Sequence, residues 1–195
     1  MATTATPMGA EPTDTLSASG SFTGKVRHIK IASAYGTAIF YGDFVKLVAA
    51  GTVEKAAVTT AVVAGTVGIF VGCTYTDPNS SQMTFNQQWP ASTTASDAYA
   101  YVVDDPKLLF RMQGDEAIAQ TGLGNNVSAV STAGSTSIGR SKNALDGGSI
   151  ATTNSLPLRI VDFVDGPTSS VGDTYTDCIV TYLPLSHAYE TKLGV

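Results

Sequence analysis

The chain has 195 residues and a formal net charge of −5. Charged residues make up only 14 % of it, against about 25 % in an ordinary soluble domain, and its lysines and arginines stand singly with no basic cluster. A nucleic-acid partner therefore lacks its electrostatic footprint, and a charge-poor chain with 19 glycines and abundant Ala, Thr and Ser suits short strands, tight turns and broad contact surfaces.

Residues 1–23 carry Pro7, Gly9, Pro12 and Gly20 without periodicity and are expected to form a flexible or extended arm before a β-rich domain over 24–195. No early lysine or arginine precedes an apolar core there, so a secretory signal is not expected and synthesis in a cytoplasm is. Phe22, at the end of the arm, is a candidate partner contact. Residues 26–31 alternate in polarity, 37–41 and 43–48 are short apolar runs around Gly42, 54–64 reads as strand with loop, and 67–75 is a longer run. The low-charge stretch 56–75 is broken by Gly65, Gly68 and Gly72 into strand-length pieces, which argues against a membrane helix. Asp77-Pro78-Asn79 predicts a turn. Residues 83–88 then alternate up to Trp89-Pro90, where the only tryptophan is either a core residue or a contact anchor.

Between residues 99 and 113 two apolar-rich runs meet at Asp104-Asp105-Pro106-Lys107. Tyr99, Tyr101 and Val103 share one face and Ala98, Ala100 and Val102 the other, the period of a pleated strand. Asp105-Pro106 suits the first positions of a type I turn, so a hairpin is predicted, with a helix capped by Asp105 as the alternative. Residues 114–122 begin with acids and end on glycine, which predicts a helix of one or two turns, and a second short turn is expected over 141–145. Strands over 157–164 and 176–183 complete about ten. The expected fold is all-β, a single barrel or sandwich with one or two short helices and an extended N-terminal arm.

Chemistry-bearing patterns are sparse. Cys73 and Cys178 are lone cysteines inside apolar runs and read as buried free thiols, with a disulfide between them left open. His28 and His187 are isolated from any metal-ligand spacing and are expected at the surface or an interface. No Gly-x-Ser-x-Gly elbow occurs. Asp104 and Asp105 are adjacent rather than facing, and Asp162 and Asp165 flank a strand end without calcium-loop spacing, so both pairs read as turn chemistry. Gly122-Leu123-Gly124 lacks the strand and helix of a dinucleotide loop. The sequence thus assigns no catalytic, cofactor-binding or metal-binding residue, and a non-enzymatic role is expected.

Gly36-Thr37-Ala38-Ile39-Phe40-Tyr41-Gly42-Asp43-Phe44-Val45-Lys46-Leu47, then Gly68-Ile69-Phe70-Val71-Gly72, then Tyr101-Val102-Val103-Asp104-Asp105-Pro106 with residues 110–113, form an ordered set. Gly139-Arg140-Ser141, Leu145-Asp146, residues 156–161 and residues 179–189 continue it. Taken in order, the set resembles the decoration, or cement, proteins on the heads of short-tailed bacteriophages, over about residues 24–190. The resemblance implies a β-rich structural virion protein that binds the outside of a completed icosahedral shell. It also implies a homo-oligomer, with a trimer favoured, that bridges neighbouring capsomers of the major capsid protein. It carries no catalytic residues. The alternative is a β-sandwich host-attachment or glycan-binding module.

Overall fold

The computed structural model describes residues 3–17, 22–59, 65–184 and 186–191. Its strands, in chain order, are β1 Glu11–Thr15, β2 Arg27–Lys30, β3 Ile39–Phe40, β4 Phe44–Leu47, β5 Val53–Lys55, β6 Thr66–Thr76 and β7 Met83–Asn86. They continue with β8 Gln88–Trp89, β9 Tyr99–Val103, β10 Leu108–Gln113, β11 Asn126–Val130, β12 Ala144–Ala151, β13 Leu158–Phe163 and β14 Asp177–Tyr182. The all-β expectation holds, and the strands pair antiparallel in two six-stranded sheets and one small ribbon. The first sheet runs β1-β10-β14-β13-β11-β12; the second runs β2-β9-β6-β4-β5, with β7 pairing the far end of β6. The ribbon is β3-β8.

One apolar core joins the two large sheets: Phe110, Met112, Leu158, Ile160 and Val180 of the first meet Phe44, Ile69 and Val103 of the second. A second core lies on the opposite face of the second sheet, where Phe70, Cys73, Tyr75, Ala100 and Val102 pack under Ile39 and Trp89 of the ribbon. The second sheet is therefore covered on both faces at its centre, which is why β6 is buried almost continuously from Thr66 to Phe70. Gly68 makes this possible: its φ is +156°, and a Cβ there would stand 2.1 Å from the Val103 carbonyl oxygen.

Four expectations are corrected. The strands and the turn between residues 99 and 113 are present, with Lys107 N–H donating to Asp105 Oδ1 at 2.8 Å and Leu108 N–H to the Asp105 carbonyl at 3.1 Å. They do not form a hairpin, because β9 is flanked by β2 and β6 while β10 is flanked by β1 and β14. Both edges of each strand are filled, and the turn becomes a corner that carries the chain from one sheet to the other. Residues 114–119 are not helical: Asp115 N–H goes to the Leu145 carbonyl at 2.9 Å and Ile118 N–H to Thr176 Oγ1 at 3.1 Å, and only the 3-10 turn Gln120–Gly122 forms. The expected turn over 141–145 is likewise absent: the Ser141 and Asn143 side chains donate to Asp43, and β12 starts at Ala144.

The fourth correction concerns the arm. Folded structure starts well before Gly24: β1 is an edge strand on β10, Ala10 is fully buried, and Ala10 N–H donates to the Gly42 carbonyl at 2.9 Å. Glu11 also pairs with Arg140. The segment is extended, as expected, but residues 3–17 are docked rather than free; residues 18–21 lie outside the described set.

Candidate interaction surface

Register places one face of the second sheet beyond the reach of the first. Along β9, Val103 is buried in the shared core, Tyr101 is half-buried, and Tyr99 is 40 % exposed. These three alternate residues share a face, so the gradient records the sheets parting from the corner at Asp104. A bulge between Phe70 and Gly72 keeps β6 in phase, and beyond it Thr74 lies opposite Tyr99. Across β6, Phe85 faces Thr74 and Met83 faces Thr76; across β9, Lys30 faces Tyr99 and His28 faces Tyr101.

The uncovered face is thus four strands wide, about 15 Å at the usual strand spacing. Phe85 is 70 % exposed and Met83 68 %, the two most exposed large apolar side chains among the described residues. His28 lies against Tyr101 with ring centroids 4.5 Å apart. The Thr74 hydroxyl, between Tyr99 and Phe85 in the register, is buried without a hydrogen-bond partner among the described residues. At the rim, Thr76 Oγ1 donates to Asp97 Oδ2 at 2.6 Å, and the two Thr76 bonds hold the Asp97 carboxyl below its ordinary pKa. Strand β7 closes the face with its outer edge unpaired among the described residues, and residues 83–86 carry no charge or proline of the kind that blunts a free edge.

The residues singled out in the sequence lie elsewhere. Trp89 is fully buried on the ribbon with its ring edge-on to Tyr75, its Nε1–H donating to the Tyr35 carbonyl at 3.3 Å, so it is a core residue and offers no contact area. Phe22 is half-buried against the shared core and lines a cleft with Arg27, Asp104, Pro106 and Tyr189. Cys73 and Cys178 are buried free thiols in different cores, each pushed up to about 12 by burial, with Asp177 adding to the effect at Cys178. Asp104 pairs with Arg27 at 2.6 Å and accepts the Tyr189 hydroxyl at 3.2 Å, while Asp105 accepts Thr15 Oγ1 at 2.9 Å. The aspartates thus tie β1, β2 and the C-terminal segment to the corner.

His28 is exposed as expected, but His187 is not. It is fully buried, with its ring centroid 5.3 Å from that of Tyr182 and 5.1 Å from that of Tyr189. Burial pushes its pKa down. Among the described residues no three His, Cys, Asp or Glu side chains are placed to hold a metal ion, and no helix is long and apolar enough to cross a membrane. Sequence reading passed over Met83 and Phe85 because an alternating strand predicts one covered face; that β7 leaves its apolar face uncovered depends on how far the first sheet extends. No family model, curated protein or solved structure matches the chain.

Proposed function

We propose that this chain is a structural virion protein that binds the outside of an icosahedral phage capsid and bridges neighbouring subunits of the major capsid protein. The observation that supports the reading is the uncovered apolar face centred on Phe85, Met83 and Tyr99, ending in an open strand edge. A flat face with an apolar centre and a thin polar rim suits docking against another protein surface. At this width it is smaller than the roughly 800 Å² per partner of a standard stable interface. It therefore works as the centre of a larger footprint, and self-association into a trimer supplies three such footprints at once. Linked weak contacts gain avidity without any new chemistry, and a ligand that binds only the assembled shell stabilises that shell by mass action. The role is non-catalytic and the site of action is the capsid surface.

The test is binding to purified particles that lack the protein. Phe85→Ser and Met83→Ser are expected to fold with stability changes within about 0.5 kcal/mol, since both side chains are solvated in the free chain. They are expected to lose most particle binding, read by co-sedimentation. Unchanged co-sedimentation for the double variant would move the contact away from this face. A glycan-binding module would use the same aromatic side chains, and retention of the wild-type chain on a glycan array, with no retention on particles, would favour that reading.

A further inference from the structure

Asp43, just before β4, and Lys55, at the end of the strand β5 paired with β4, lie near each other in sequence; Asn143 joins them from a distant part of the chain, where the segment before β12 lies against the segment before β4 and Ser141 N–H donates to the Tyr41 carbonyl at 2.9 Å. Asp43 is fully buried and Asn143 is 2 % exposed. The Asp43 carboxylate bridges the other two side chains: Oδ2 is 2.9 Å from Lys55 Nζ, and Oδ1 is 3.2 Å from Asn143 Nδ2. The remaining end of the Asn143 amide is also fixed, because its Oδ1 accepts the Thr132 backbone N–H at 3.0 Å. Phe40 N–H and Ser141 Oγ–H hold the carboxylate in place at 2.9 and 2.7 Å. The Phe40 ring lies 5.8 Å from Lys55 Nζ, and the Lys55 side chain is 14 % exposed.

We propose that Lys55 and Asn143 condense into an intramolecular isopeptide bond, with Asp43 as the proton carrier. The three elements that aminolysis of an amide requires are present together: an amine, a carboxylate that reaches both amine and leaving group, and an N–H donor at the oxygen where negative charge develops. Asp43 Oδ2 takes a proton from the Lys55 ammonium. The freed lone pair attacks Asn143 Cγ, and the charge collects on Oδ1 opposite the Thr132 N–H. Asp43 passes the proton to Nδ2 through its other oxygen, the Cγ–Nδ2 bond breaks, and a second proton from the attacking nitrogen follows the same route. Lysine ammonium and asparagine amide become one secondary amide and one ammonium ion, and Asp43 ends as it began. No oxidant, metal or nucleotide enters. Lys55, Phe40 and Thr132 line an open cleft through which the ammonium leaves. The bond would tie β5 of the second sheet to the start of β12 in the first, constraining the unfolded chain as a disulfide does.

The test is intact-mass measurement of the purified, folded wild-type chain, followed by peptide mapping. The expected result is a mass lower than the sequence mass by one ammonia, with a branched peptide that joins Lys55 to Asn143 and resists tryptic cleavage after Lys55. Lys55→Arg keeps the charge but forms no amide, and it is expected to restore the full mass. A folded wild-type chain at full sequence mass would overturn the proposal, whether or not the variant folds. So would an ammonia loss that persists in Lys55→Arg or maps to another residue.

Discussion

His187 shows how a single buried residue sets a pH dependence. Its Nδ1 accepts the Tyr189 N–H at 3.3 Å, and the neighbouring Ala188 N–H is bound to the Thr66 carbonyl at 2.6 Å. Burial lowers its pKa, while the Val67 backbone and the carboxylates of Glu190, Asp104 and Asp105 pull it partly back. A histidine whose folded pKa is depressed binds fewer protons than the unfolded chain in the interval between the two values. Its contribution is therefore intact above about pH 6.5 and is lost as pH falls toward the lower folded value. Melting temperature is expected to fall through that interval, and His187→Gln is expected to flatten the fall; an unchanged slope would assign it to the carboxylates instead. The burial of His187 was not legible in the sequence, because only the fold brings Tyr182 and the start of β6 against the C-terminal segment. The Asp105-Pro106 turn was legible, because its chemistry is confined to the four consecutive residues Asp105 to Leu108.

At the scale of elements, periodicity located strands well and pairings poorly. β9 and β10 each have the right length and alternation, but strand pairing is decided by which edges are free, and here β1, β2, β6 and β14 occupy all of them. The misread helix over 114–122 has the same origin: acids and a trailing glycine are local signals, and they lost to the Leu145 carbonyl and the Thr176 hydroxyl. β1 was missed because Pro12 and the surrounding polar residues give it no alternating pattern, and it is held as an edge strand by backbone pairing and by Ala10. Removing residues 1–16 is therefore expected to destabilise the domain itself, since it strips β10 of a neighbour and opens the core at Ala10. A fall in melting temperature of more than about 5 °C is expected, as roughly 2–4 °C corresponds to 1 kcal/mol in a domain of this size. A truncated chain that melts with the full-length one would restore the view of this segment as a detached arm.

At the scale of the whole molecule, the all-β class followed from composition and turn spacing, while the candidate surface did not. It exists because the second sheet extends past the first, and no local pattern encodes that overhang. The proposed role needs contact area and repetition rather than a reactive centre: two apolar cores hold the sheets together, and the overhang leaves Tyr99, Met83 and Phe85 uncovered along an open edge. The proposed role requires this face to meet the capsid shell. Imaging of particles at residue-level detail, with the protein present and absent, tests it most directly. Symmetric density is expected on the outer surface only when the protein is present, with Phe85 and Met83 buried against the major capsid protein. Particles that never carry the protein, or that carry it with this face turned to solvent, would contradict it.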